Sequence, residues 1–296
     1  MPSPDPDHSV RSALFVPGDR PERIEKAMQA GADLVIIDLE DAVLPENKSL
    51  ARNFVSEFLA TNTGQGPVAV RINQIDSGHY DEDIGSLVQS PPSAVMLPKF
   101  ESPNALELLN THLSSIESDR GLAANAIRVI PLVESAVAME GIPGILHTPA
   151  ASRVWCMAFG AADYALDLGI DMDNNTEGML YPHTRLPVAS RAAGLSAPLD
   201  APYMTDLKDA QGLREACQRA RRMGFQGKLC VHPAQVETCN VEFSVSPTEV
   251  EKARKIVETY RLSQSEGRGV VQLDGKLIDQ PIVERAMRIL EMAGER

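Results

Sequence analysis

What most constrains the fold of this chain is its rhythm: short apolar runs alternate with amphipathic stretches along most of its length. Eight runs read as strands: Ala13–Val16, Leu34–Asp38, Val68–Asn73, Ala94–Pro98, Arg128–Glu134, Val154–Gly160, a weak one near Pro198–Pro202, and Lys228–His232. Helix-like segments lie between them, among them Arg20–Ala30, Lys48–Ala60, Asn104–Ser118, Arg185–Ala193 and Lys208–Met223, several opened by Pro, Ser or Asp and closed by Gly. Regular βα alternation implies a parallel sheet with helical crossovers, and eight units in about 240 residues match an α/β chain of the (β/α)8 TIM-barrel type. A doubly wound sheet would call for a Gly-rich fingerprint after the first strand, and Val16-Pro17-Gly18-Asp19-Arg20 is not one.

The barrel is expected over residues 11–245. Residues 1–10 are rich in Pro, Asp and Ser, lack an apolar stretch, and read as a disordered tail rather than a signal peptide. Residues 246–296 are surplus to a barrel: a helix at Thr248–Leu262, a hinge-like Gly267-Arg268-Gly269, a short strand and a last helix from Pro281. An appendage of this kind reads as a lid over an active site or an oligomerisation element.

A net charge of −13 argues against a nucleic-acid partner or an anionic membrane surface, because no excess of basic residues exists to neutralise phosphates. No apolar run is long enough to span a bilayer. The four cysteines, Cys156, Cys217, Cys230 and Cys239, have no C-x-x-C spacing, which disfavours a zinc site and a disulfide framework and makes reduced, cytoplasmic thiols the expectation.

The strand ends carry the chemistry. Glu134 ends the fifth apolar run and Asp163 follows the sixth, so both acids fall on one rim of the sheet. Either alone reads as an arginine partner or a helix cap; together, on adjacent strands, they point to Mg²⁺, which takes few protein oxygens and keeps several waters. The histidines show no H-E-x-x-H or i,i+4 pair, so zinc is disfavoured. Ile37-Asp38-Leu39-Glu40-Asp41 crowds three acids at another strand end: Asp38 reads as a strand-end cap, while Glu40 and Asp41 are expected to bond the waters of the metal. Arg71 reads as a planar clamp for a carboxylate or enolate oxygen, its bland alternative being an ion pair with an acid. Lys99 reads either as a Schiff-base lysine or as a structural or anion-contacting one. Arg20, Arg23 and Lys26, at i, i+3 and i+6, form either a solvated face or an anchor for nucleotide phosphates.

Seven ordered segments carry a resemblance: Leu14-Phe15-Val16-Pro17-Gly18-Asp19-Arg20, Ile37-Asp38-Leu39-Glu40-Asp41-Ala42-Val43, Val70-Arg71-Ile72-Asn73, Leu97-Pro98-Lys99, Pro131-Leu132-Val133-Glu134-Ser135, Phe159-Gly160-Ala161-Ala162-Asp163-Tyr164 and Cys230-Val231-His232-Pro233-Ala234-Gln235. Together they resemble the citrate lyase beta subunit-like group of the HpcH/HpaI aldolase family. The resemblance implies a TIM barrel, Mg²⁺ on Glu134 and Asp163, and Arg71 at the reacting oxygens. It also implies an acid/base aspartate supplied by a neighbouring subunit of a homotrimer or hexamer. Lys276-Leu277-Ile278-Asp279-Gln280-Pro281 matches that last segment and points to Asp279, with Asp274 as the competing residue. Tyr181-Pro182-His183-Thr184-Arg185 departs from the pattern at Pro182 and His183.

The expected activity is a Mg²⁺-dependent carbon–carbon lyase acting on a CoA thioester such as malyl- or citramalyl-CoA and releasing a 2-oxo acid. The alternatives are a citrate lyase beta subunit acting on citryl-acyl carrier protein, and a non-catalytic barrel that binds CoA or a 2-oxo acid.

Overall fold

In a computed structural model of the chain, which describes residues 9–62, 66–172, 177–265, 267 and 269–295, eight parallel strands close on themselves in chain order. They are β1 (Ser12–Pro17), β2 (Leu34–Asp38), β3 (Val68–Arg71), β4 (Ala94–Leu97), β5 (Arg128–Val133), β6 (Ala158–Phe159), β7 (Leu199–Asp200) and β8 (Gly227–Cys230), and β8 pairs back onto β1 through Ala13 and Leu229. The fold is the expected TIM barrel. β6 is shorter than expected, since Val154 makes only an isolated bridge to Val129 before regular pairing begins at Ala158. The weak seventh run is a real strand of two residues. Most of residues 1–10 lie outside the described residues, as does Arg268 of the hinge-like triplet.

Nine helices of the barrel unit are described: α1 (Pro21–Met28), α2 (Lys48–Thr61), α3 (Tyr80–Leu87), α4 (Pro103–Arg120), α5 (Ala136–Leu146), α6 (Ala161–Leu168), α7 (Leu180–Ala192), α8 (Ala210–Met223) and α9 (Val236–Phe243). Ser102 and Ser135 start α4 and α5 by accepting the N–H of Ala105 and Ala138, and left-handed glycines end α4, α6 and α8. α7 starts five residues earlier than the sequence pattern implied. Pro182 falls in its first turn, where no intrahelical N–H is required of it.

Alternation along the strands builds two cores. Ala13, Leu34, Ile36, Ala69, Ala94, Met96, Ile130, Leu132, Ala158, Leu199 and Leu229 fill the barrel, while the intervening residues pack outward against the helices. The inward series does not stop at the rim. Leu34 and Ile36 lead to Asp38, Ala69 to Arg71, and Ile130 and Leu132 to Glu134, so the candidate chemical residues occupy the next layer of the same lattice.

A second compact unit covers Ser244–Arg296. It holds α10 (Pro247–Ser265), a hairpin of β9 (Val271–Leu273) and β10 (Lys276–Ile278), and α11 (Gln280–Met292), closed around Ala253, Val257, Tyr260, Ile278, Val283 and Ala286. Asp274 and Gly275 turn the hairpin with both φ angles positive, the conformation that a two-residue Asp-Gly turn favours.

Candidate active site

Asp38, the last residue of β2, is 1% exposed and organises one side of the rim. Its carboxylate accepts the backbone N–H of Glu40 and of Ala42, each at 2.9 Å, which folds the Leu39–Ala42 segment over the strand end. The same carboxylate takes the fork of Arg71, Nε donating to Oδ1 at 2.7 Å and Nη2 to Oδ2 at 2.5 Å. Arg71 Nη1 turns the other way, 3.1 Å from Glu40 Oε2 and 3.6 Å from Asp41 Oδ2. The guanidinium also lies over the Phe15 ring, 4.9 Å from its centroid. Burial alone would lower the Arg71 pKa, but bonding to Asp38 and the charges of Glu40 and Asp41 outweigh it, so the group stays cationic. Asp38 is thus both the strand-end cap and the ion-pair partner that holds the Arg71 plane in place.

Glu134 stands at the end of β5, 5% exposed. Oε1 accepts the Lys99 N–H at 2.7 Å, and Oε2 accepts no hydrogen bond from the described residues. Lys99 presents that N–H from a left-handed conformation, φ 50°, which costs a non-glycine residue about 1 kcal/mol. A Cβ on Gly160 would stand 2.6 Å from Glu134 Cβ and 2.7 Å from Oε2, so only glycine leaves the carboxylate its space. Burial pushes the Glu134 pKa up to about 7, opposed by the Lys99 N–H and reinforced by Asp163. Glu40 rises to about 8, mainly by burial, with Arg71 opposing and Asp41 and Glu134 adding. Both shifts come mainly from burial, which disfavours the charged carboxylate even beside Arg71 and Lys99.

Asp163 lies in the first turn of α6, partly exposed, 3.4 Å from the Lys99 ammonium. For Lys99, burial would favour the neutral amine, but Asp163 and Glu134 together raise its pKa. Among the described residues no third acid, histidine or cysteine joins the pair to complete a cluster of ligands. An all-oxygen donor set with one oxygen of Glu134 unengaged fits Mg²⁺, which draws the rest of its shell from water and substrate.

The remaining predicted residues are less tied down. Arg20 is the exposed N-cap of α1, 3.7 Å from Asp19, and Arg23 is exposed on the helix surface. Asp279 caps α11 in the second unit, accepting the Ile282 N–H at 3.3 Å. His183, where the sequence departs from pattern, points into the layer between sheet and helices. Its Nε2 bonds Asp200 at 2.8 Å, and its ring meets Phe159 and Phe225 edge-on.

Lys48, Asn73 and Asp83 support the site and were not singled out from the sequence. All three are buried, and their hydrogen bonds run under the Leu39–Glu40 backbone. One signal pointed to Lys48: a cation at the first position of a helix opposes the helix dipole, so a lysine there asks for another partner.

A closed parallel barrel with acids and a fixed arginine at its C-terminal rim defines the class of protein, a TIM barrel whose rim is built as TIM-barrel enzymes build their active sites. Residues 11–233 match the HpcH/HpaI aldolase/citrate lyase family, and the chain belongs to that family. It is 30% identical over 284 residues to the citrate lyase subunit beta of Leuconostoc mesenteroides subsp. cremoris, covering 96% of this chain and 93% of that one. It is 29% identical over 292 residues to the mitochondrial citramalyl-CoA lyase of Homo sapiens, covering 96% of this chain and 85% of the relative. Among solved structures it is similar to protein CitE of Mycobacterium tuberculosis in complex with magnesium, acetoacetate and coenzyme A, with a TM-score of 0.80 and 29% identity over 97% of this chain and 99% of that one. The chain is therefore a lyase of this family.

Proposed function

We propose that the protein is a Mg²⁺-dependent lyase that cleaves the carbon–carbon bond of a 3-hydroxyacyl-CoA thioester of the malyl- or citramalyl-CoA type. The observation that carries this reading is the Glu134 and Asp163 pair, all oxygen and with Glu134 Oε2 unengaged, at the rim of a chain so similar to a citramalyl-CoA lyase. Held by those two carboxylates, Mg²⁺ would polarise the hydroxyl and carboxylate that become the 2-oxo acid. Arg71, its fork fixed by Asp38, offers Nη1 to the negative charge that develops on those oxygens. Glu40 and Asp41 hold water in the second layer, Lys99 contacts the substrate carboxylate, and Arg20 and Arg23 meet the phosphates of CoA. As the bond breaks, the hydroxyl passes its proton to the water held by Glu40 and Asp41 and the electron pair of the broken bond moves to the thioester α-carbon. Asp279, from a neighbouring subunit, delivers the proton there. Residues 246–296 then act as a lid shared within a homotrimer or hexamer. The four unpaired thiols fit a reducing, cytoplasmic setting, and no helix of the described residues is long and apolar enough to cross a membrane.

The likeness to the Leuconostoc subunit favours a second reading, a citrate lyase beta subunit that takes citryl from an acyl carrier protein. Incubating the purified protein with citramalyl-CoA, malyl-CoA or citryl-acyl carrier protein, with Mg²⁺ or excess chelator, and following 2-oxo acid release separates the two. Mg²⁺-dependent turnover of a free CoA thioester supports the first reading. Turnover of the carrier-bound substrate alone supports the second, and full activity in chelator overturns both.

A further inference from the structure

The buried ammonium of Lys48 lies behind the site, 7% exposed. Its three N–H groups all find acceptors: Leu39 O at 2.9 Å, Glu40 O at 3.0 Å and Asn73 Oδ1 at 2.7 Å. None of those acceptors is a carboxylate, so the charge is held by backbone and amide dipoles rather than by a direct ion pair. Asn73 is fixed in turn. Its own N–H and its Nδ2 both donate to Asp83 Oδ2, at 2.8 and 2.7 Å, and Nδ2 also reaches Leu39 O at 2.8 Å. Asp83, fully buried, is closed off by Arg52, whose Nη1 donates to Oδ1 at 3.2 Å. The network therefore runs from α2 and α3 to the two carbonyls that flank the Glu40 backbone nitrogen and α-carbon.

That placement is specific. Asp38 grips the same segment from the other side through the N–H of Glu40 and Ala42, so the peptide that carries Glu40 is held by its donors from one side and its acceptors from the other. Three acceptors converging on one nitrogen suit a tetrahedral ammonium and not a planar guanidinium or an amide. We infer that Lys48 is a positioning residue for the lyase reaction: it fixes the Leu39–Glu40 backbone so that the Glu40 carboxylate meets Arg71 Nη1 at the rim. This assignment deepens the lyase reading above and rests on it.

The test is a double-mutant cycle on Lys48→Met and Glu40→Gln, with Lys48→Gln as a second variant in case the methionine side chain disturbs folding. A residue that acts through Glu40 should lower kcat about 10- to 100-fold while changing KM less than about 3-fold, and should cost almost nothing further once Glu40 is already glutamine. Hydrogen exchange at the Glu40 and Ala42 amides, which Asp38 holds in the native protein, should quicken in both Lys48 variants while the β5 amides keep their protection. Losses that multiply independently in the double variant, or unaltered exchange at Glu40 and Ala42, overturn the assignment. If the native protein turns over none of the thioesters but exchange at those two amides still quickens, the substrate reading fails and the hold on the Glu40 backbone stands.

Discussion

At the scale of the residue, the site depends on groups with little freedom. Arg71 spends its fork on Asp38 and presents Nη1 toward Glu40 and Asp41. Arg71→Lys keeps the charge but cannot make both bonds and still reach forward, so kcat/KM is expected to fall by at least about 100-fold with the fold retained. Near-normal kcat/KM for that variant would mean that Arg71 serves only as the partner of Asp38. Gly160→Ala probes the other side. The new methyl collides with Glu134, so either Glu134 moves or the barrel end distorts, an overpacking cost of about 1–3 kcal/mol. Mg²⁺ affinity measured by calorimetry should weaken about tenfold or more, and unchanged affinity would remove Gly160 from the account of the site. The sequence made Glu134, Asp163 and Arg71 legible because each ends or follows an apolar run. It did not reveal that the Arg71 fork is taken by Asp38, since a partner 33 residues away is visible only once β2 and β3 lie side by side.

At the scale of the element, the outer face of β7 and β8 holds a charge pair with no part in the chemistry proposed. Asp200 and Lys228 are register partners, both about 4% exposed, and the ammonium bonds the carboxylate, which also accepts from His183. Burial would raise the Asp200 pKa, but Lys228 and His183 bring it down to about 2. A carboxylate depressed in this way contributes stability that is complete above its unfolded pKa near 4 and is lost as pH falls toward 2. Urea unfolding of the native protein should therefore show a stability decline between pH 4 and pH 2 that is reduced in the Asp200→Asn variant. Removing only the cation by Lys228→Met leaves a buried, uncompensated carboxylate and is expected to cost about 3–5 kcal/mol. The pair also explains a limit of the sequence reading. Pro198–Pro202 looked weak as a strand because β7 is two residues long and one of them is charged; its identity comes from pairing, not from its own apolar character. Likewise β3 was expected to run to Asn73, but regular pairing ends at Arg71, beyond which Asn73 bonds Asp83 and Leu39 instead of a ladder partner.

At the scale of the whole molecule, the eightfold alternation was legible in all but its weak seventh strand, because strand and helix periods leave their mark on every segment of sufficient length. The part played by residues 246–296 was not. Their helices follow from pattern, while one short strand was expected where β9 and β10 form a hairpin; Asp279 has a local duty as the cap of α11 and Asp274 turns that hairpin, so neither advertises acid/base work by its setting. A functional assay decides. Asp279→Asn should lose about 10²- to 10⁴-fold in turnover while still binding Mg²⁺ and 2-oxo acid. Mixing it with Glu134→Gln protomers should restore part of the activity through sites built from two chains, detected as turnover above the sum of the separate variants. Absence of recovery in verified mixed oligomers would confine the acid/base to a single chain.

The thiols carry a practical consequence. Cys156, Cys217, Cys230 and Cys239 are all buried, with burial holding the Cys156 thiol up at about 12 and the Cys217 thiol raised by its bond to Cys239 and by burial. Maleimide dyes and nitroxide labels, which need an accessible thiolate, should leave the folded native protein untouched. A single cysteine introduced at the exposed Leu277 would then be the only reactive handle, so the protein can serve as its own cysteine-free background for fluorescence or spin-label distance measurements during turnover.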